Sequence, residues 1–411
     1  MSTDHLATSG QPTTARFRWS QYERWPVVIV GLLIAVYPTY VVVELLASAF
    51  ARYPVLASAS ALVWGLYAIP FIWVLRRIDY FEREPRITLA AAFAWGAIVS
   101  IGLSLEGNTG IADIVAVNQG GAFNNIWGAA IGGPTEELTK GIGILLILLA
   151  SPRRPRSALD GLVVGAMVGV GFQIVEDFTY TINVAVASDT TSLAPLLQMF
   201  IVRGLVAGVA SHAVYSGIVG LGIGYMLTAS NRSKSRRFGG ALLGFAVAYA
   251  LHFFWNAPAL FDGDLGVLLD LMLKIAVVLA VLLLALRYAR KRDRALYLPQ
   301  LKALSPHLCT PAEADALATR RTRRRWARAF TDELGRPNRK RARALERARA
   351  DLAVGMLACD PNATASALGE VERLRVLGAP AGWFTDPYEG APLGALRYWD
   401  GRQWTGYSNF G

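Results

Sequence analysis

"GGPTEELTKGIGILLILLA", residues 132–150, sets two adjacent carboxylates and an ammonium at the head of an apolar run. A charged side chain at the centre of a bilayer costs at least about 2.5–3.5 kcal/mol on insertion scales, so ionisable residues inside a span mark function by default. Whether Glu136, Glu137 and Lys140 are such residues depends on what surrounds them.

The surroundings are apolar. The 411 residues are 54% hydrophobic and only 17% charged, with a mean hydropathy of +0.36. That balance excludes an ordinary soluble domain of this length. Eight stretches, 26–50, 55–75, 87–105, 124–150, 158–185, 195–228, 239–258 and 266–288, are long enough to cross the membrane. A hydrocarbon core of about 30 Å needs roughly 17–25 helical residues. The expected fold is an all-α polytopic membrane protein of eight transmembrane helices, with a basic helical cytoplasmic tail and a small β-hairpin module at the C-terminus.

The loops set the orientation. Loops 76–86, 151–157 and 231–237 carry eleven Lys and Arg in all, whereas 106–123, 186–194 and 259–265 carry none and the first outer turn has only Arg52. The positive-inside rule then places both termini in the cytoplasm of a multi-pass cell-membrane protein. Residues 1–25 are polar and read as a cytoplasmic N-terminal tail without a removable leader.

Residues 26–290 form the membrane domain in this reading, and 291–378 a basic helical linker. Residues 287–349 hold 19 Lys and Arg against 6 Asp and Glu. Juxtamembrane arginines clamp anionic lipid headgroups. No nucleic acid is expected, because no nucleic-acid-reading motif accompanies the charge. The helix is expected to break near Gly335-Arg336-Pro337. Cys309 and Cys359, 50 residues apart, suggest free thiols rather than a disulfide or a zinc ribbon.

Residues 379–411 change character. Asp400-Gly401, flanked by Tyr398-Trp399 and Trp404, signals a two-residue hairpin turn. Gly382 to Thr405 resembles a short Trp-rich domain of unknown function with the pattern GWYPDP…RYWDG…W. That likeness implies an interaction module with a protein partner and no chemistry of its own.

Small residues repeat within the spans as Gly161-xxx-Gly165-xxx-Gly169, Gly204-xxx-Gly208 and Gly220-xxx-Gly224, a spacing that lets helices approach closely. Polar residues concentrate in spans four to seven. Glu136 and Lys140 are i,i+4 and can pair, while Glu137 lies about 100° round the helix. Gly132-Gly133-Pro134 reads as a helix start, which makes 121–133 a re-entrant or broken segment. Glu176 and Asp177 follow, then His212, then His252 with Asn256 at i,i+4. Counted along their spans, these residues spread over the outer half of the bilayer, where one cavity could collect them. Arg203 reads as snorkelling outward, and Glu44 and the Asp270–Lys274 pair as structural contacts.

The order of these motifs carries a second resemblance. "EELTK", "FQIVE", "SHAVYSGIVGLGIGY" and "HFFWN" resemble the EExxK, FxxxE and two histidine motifs of PrsW-type intramembrane proteases, a family related to the CAAX-processing endopeptidases. The likeness covers roughly 60–290. It implies hydrolysis of a peptide bond in a single-span membrane protein, such as an anti-sigma factor. It further implies that Glu136 and Glu137 are the acid/base pair and that Lys140 holds Glu136 ionised. Glu176 and His212 would position water or ligate a metal, and His252 and Asn256 would donate to the oxyanion. Zinc is an option, on His212, His252 and Glu176; the lack of HExxH and the kinship with the CAAX group favour a metal-free glutamate mechanism. Two other readings use the same residues: a proton- or ion-coupled transporter, which usually shows paired broken helices, and an inactive membrane scaffold.

Overall fold

The apolar runs become helices. The structure, a computed structural model, describes residues 24–78, 81–118, 125–206, 208–209, 211–305, 308–334, 338–376, 382–385, 395–399 and 404–409. They divide into two units, one built from 24–78 and 83–293, the other from 81–82 and the described residues from 294 onward. Of the N-terminal tail, 1–23 lie outside the described residues, as do 121–124, 335–337 and the turn residues Asp400 and Gly401.

The first unit holds α1 (Trp25–Arg52), α2 (Pro54–Ile78) and α3 (Arg86–Ala94), which passes through π-helical turns at Trp95–Ser100 into α4 (Ile101–Asn118). There follow α5 (Asn125–Ala150), α6 (Ala158–Ala187) and α7 (Ala194–Met199), which widens into π-helical turns at Phe200–Val206. Then come α8 (Ser211–Thr228), α9 (Lys234–Asn256) and α10 (Gly263–Lys302), whose last turns enter the second unit. Among the described residues, six helices are long and apolar enough to cross a membrane: α1, α2, Arg86–Ala116, α6, α9 and α10. Ala194–Val206 and Ser211–Thr228, bent by 45°, make a seventh if they form one broken span. The chain is thus a multi-pass helical membrane protein. Helix α5 coincides with the fourth expected span but is not among the six; it carries Glu136, Glu137 and Lys140 within its apolar run.

Helix α6 is the axis of this unit. Ser157 starts it with a capping box: its hydroxyl accepts from Leu159 N at 3.1 Å, while Asp160 Oδ2 accepts from Ser157 N at 2.9 Å. The small-residue stripe then fixes its distance from α8. A methyl group added at Gly169 would lie 2.1 Å from the His212 carbonyl oxygen, and one at Gly165 would lie 2.2 Å from that of Ser216. Backbones this close cannot slide or separate without losing the contact, so α8 presents its side chains at a fixed register.

One expectation about a boundary is corrected here. Helix α5 starts at Asn125 and runs through Pro134 instead of starting there. A proline inside a helix removes one backbone donor. The helix continues through that loss, and the Thr135 hydroxyl, which contacts Asn108 Oδ1, also lies 3.1 Å from the Ile131 and Gly132 carbonyl oxygens. Helix α10 continues to Lys302, because its later residues are strong helix formers.

In the second unit Phe81 stacks on Tyr297 with ring centroids 4.8 Å apart, and the Tyr297 hydroxyl donates to Glu82 Oε2 at 2.8 Å. Around them pack α11 (Pro311–Leu317), α12 (Arg320–Leu334), α13 (Asn338–Ala358) and α14 (Pro361–Val376). The C-terminal module is an antiparallel sheet of β1 (Gly382–Thr385), β2 (Leu396–Trp399) and β3 (Trp404–Asn409) in that order, one strand more than a hairpin. Cys309 and Cys359 are free thiols.

Candidate active site

Six of the seven residues singled out in the sequence meet inside the first unit, drawn from four helices. Helix α5 brings Glu136, Glu137 and Lys140, α6 brings Glu176, α8 brings His212 and α9 brings His252. Glu137 and Lys140 are fully enclosed, and Glu136, His212 and His252 are no more than 6% exposed. The seventh, Asn256, ends α9 one turn beyond His252; it is exposed and no hydrogen bond joins it to the others.

Lys140 Nζ is the hub. It lies 2.9 Å from Glu137 Oε1, 3.3 Å from Glu136 Oε2 and 3.0 Å from His212 Nδ1, with the Phe172 ring 3.7 Å beneath it. Lys140 is thus closer to Glu137 than to its i,i+4 neighbour Glu136. Three acceptors and an aromatic face offset the desolvation of an ammonium placed at this depth.

The imidazoles are oriented by carboxylates. His212 Nε2 lies 2.9 Å from Glu176 Oε2, and His252 Nδ1 lies 3.3 Å from Glu137 Oε1. A carboxylate can only accept, so these nitrogens carry the protons. The lone pairs are then on His212 Nδ1 and His252 Nε2. Each of these sits 3.8 Å from Glu136 Oε2. The two rings stand 5.1 Å apart at 82°. Ser216 Oγ completes the surroundings of Glu137 at 3.4 Å, and Asn108 Nδ2 approaches Glu136 Oε1 at 3.5 Å.

Three acceptor atoms that converge in a dry interior require a donor or a cation. Glu136, His212 and His252 hold their ligand atoms within 4.8 Å of one another. Two histidines and a carboxylate are a familiar three-ligand set for zinc. Each imidazole also has the second carboxylate that a metal-bound histidine commonly uses to fix its ring. The donor chemistry therefore fits a divalent metal, with Glu136 in the third place and Glu176 behind His212. The Lys140 ammonium, which already touches two of the three donors, is the group such an ion would have to displace toward Glu137.

Sequence reasoning missed the support behind Glu176. Arg203, on the π-helical turns after α7, points inward and makes ion pairs with both Glu176 and Asp177, its guanidinium lying 4.1 Å over the Tyr180 ring. The outward snorkelling expected of it does not occur. The buried Asp177 and the half-buried Glu176 from α6 outweigh the pull of the headgroups. Asp177 beside Glu176 was the available signal, since two adjacent buried acids call for a cation.

Comparison with known families bears on the same stretch. Residues 84–286 match the family described as PrsW family intramembrane metalloprotease. The membrane region of this chain belongs to that family. The chain is accordingly an intramembrane peptide hydrolase, and the match contains every residue of the cluster. Residues 381–408 match a family of unknown function, DUF2510. Comparison with curated proteins and with solved structures returned no match.

Proposed function

We propose that this PrsW-family chain hydrolyses a peptide bond in a single-span membrane protein, an anti-sigma factor being one such substrate, with water activated by Glu136. The observation that carries the proposal is the convergence of Glu136 Oε2, His212 Nδ1 and His252 Nε2, three lone-pair donors from three helices in the membrane region. A water molecule held there donates to Glu136 and to an imidazole. Its oxygen adds to the scissile carbonyl carbon while Glu136 takes the proton. The same proton then passes to the leaving amine nitrogen as the carbon–nitrogen bond breaks. Lys140 pairs with both carboxylates of α5, and Glu176 and Glu137 hold the two rings in the required tautomers. Glu136, His212 and His252 are the residues that would hold a metal; a bound dication supplies a polarised water and a Lewis acid for the carbonyl.

Around this centre we place eight spans with α5 as the fourth, both termini in the cytoplasm of the cell membrane, anionic lipid at the basic stretch 287–349, and a protein partner at 379–411. The test of the reading is reconstitution. The purified full chain in liposomes should convert a co-reconstituted single-span protein into one pair of complementary fragments. A panel of such proteins left intact by well-folded chain would overturn it.

A further inference from the structure

We propose that Tyr215 is a further catalytic residue of this centre, its phenolic hydroxyl donating to the oxyanion that forms when water adds to the scissile carbonyl. The proposal rests on the hydrolytic reading above. Tyr215 lies on α8, one turn after His212 and next to Ser216, whose hydroxyl reaches Glu137. Its ring stacks on the His252 imidazole, 5.0 Å away at 25°, and meets His212 edge-on at 5.9 Å and 75°. The side chain is 1% exposed.

The hydroxyl is the anomaly. It is enclosed, yet among the described residues it finds no hydrogen-bond partner. A buried tyrosine usually finds a partner for its O–H, and leaving one unpaired costs stability that phenylalanine would not lose. Ser60 and Ser100 also keep unpaired hydroxyls, but Tyr215 is the one whose ring packs on both imidazoles of the cluster. It supplies what the cluster lacks. Glu136 Oε2, His212 Nδ1 and His252 Nε2 all present lone pairs, and the Lys140 ammonium is divided among carboxylates and an imidazole. An uncommitted donor, on a ring packed against both imidazoles, matches the charge that develops on the carbonyl oxygen.

The step balances without an added reagent. As the water oxygen bonds to the carbonyl carbon, the π electron pair moves onto the carbonyl oxygen, which accepts a hydrogen bond from Tyr215. The water proton goes to Glu136. When the tetrahedral species collapses, the carbonyl re-forms, the carbon–nitrogen bond breaks and Glu136 returns the proton to the amine. Tyr215 keeps its own proton throughout. A donor aimed only at the developing charge stabilises the transition state and not the bound substrate, so its removal lowers kcat and leaves KM alone.

The test is Tyr215→Phe in the full reconstituted chain, measured beside Glu136→Gln. We expect kcat to fall about 10²–10³-fold, the loss typical of one oxyanion donor, with KM little changed. The Tm should be equal to or above that of the wild type, because the substitution deletes an unpaired buried group. A merely structural tyrosine would give the reverse: kcat maintained and Tm lowered. If Tyr215→Phe does not fold, fluorotyrosines of graded acidity at 215 keep the ring, and kcat should track the strength of the donor; a flat series overturns the proposal. An inactive Glu136→Gln chain alongside a fully active Tyr215→Phe chain overturns the tyrosine assignment alone. A fully active Glu136→Gln chain overturns the hydrolytic reading beneath it.

Discussion

Both units bury charged side chains, but they hold them in opposite ways. In the second unit Arg349 is 1% exposed; it makes an ion pair with Glu313 at 2.8 Å, donates from Nε to the Leu308 carbonyl at 3.0 Å and lies over Trp326. The other pairs there, Lys302–Asp315, Arg347–Asp351 and Arg373–Glu370, involve different residues and share no atom. In the membrane unit the isolated Asp270–Lys274 pair is of the same kind, but the charges of the cluster share partners. Lys140 serves two carboxylates and an imidazole, and Glu136 faces both histidines. Burial and pairing are thus common to both units and identify nothing. What separates the reactive centre from a structural ion pair is that lone pairs from different helices are aimed at one point, where one ammonium touches two of the three.

If that distinction holds, removing one of the aimed groups should do far more than removing any paired one. His252→Ala, which deletes one of the three converging acceptors, should lower the initial rate of fragment release by about 10³-fold, within the range of a lost acid–base group. A drop of less than tenfold in a folded chain would make His252 no different from a charge in the tail.

The next effect belongs to the support. Arg203→Gln should leave Glu176 and Asp177 as uncompensated acids and loosen His212, at a loss of 10–100-fold, as expected for a group behind the reacting set. Arg203→Lys should recover part of the activity, because an ammonium keeps the charge but lacks the planar fork of the guanidinium. Equal losses for Lys and Gln would mean that the charge alone contributes nothing, and full recovery by Lys would mean that the fork geometry is irrelevant.

How far the sequence showed this divides along the same line. The apolar runs and the paired i,i+3 or i,i+4 residues on α5 are periodic and local, so the helices and the Glu136–Glu137–Lys140 group were legible. The two later histidines were legible because they are rare inside spans. The donors behind them were not. Arg203 reaches Glu176 across 27 positions, and the contact depends on π-helical turns and on a glycine-set distance between α6 and α8 that no local rule predicts. Tyr215 went unremarked because an aromatic residue in a span is ordinary until its hydroxyl is seen to be unpaired. Pro134 misled for the opposite reason: the local rule was strong, yet the helix runs through it.

The comparison can also be sharpened from the tail. Burial pushes the Glu346 carboxyl up to about 7, against the pull of Arg323, Arg343 and Arg349. A carboxyl whose folded value is raised binds its proton more tightly in the fold. Its contribution is therefore present below its ordinary value of 4.5 and lost as the pH rises through about 7. Amide protection of α13, corrected for intrinsic exchange, should fall between about pH 5 and pH 8, and Glu346→Gln should flatten that dependence. Cleavage should not change. The smallest effect is expected at the exposed Arg373–Glu370 pair. Arg373→Ala should shift stability by less than about 0.5 kcal/mol and leave the rate as it was; a larger shift would show that surface pairs in the tail do more than fill space.

The most direct test is the cleavage rate of Glu136→Gln in the full reconstituted chain. Glutamine keeps the shape and one acceptor oxygen but cannot take a proton, and Lys140 retains Glu137 at 2.9 Å, so the chain should remain folded. The account predicts a wild-type Tm and no fragment above the uncatalysed background. A stable Glu136→Gln chain that releases fragments at the wild-type rate would contradict it.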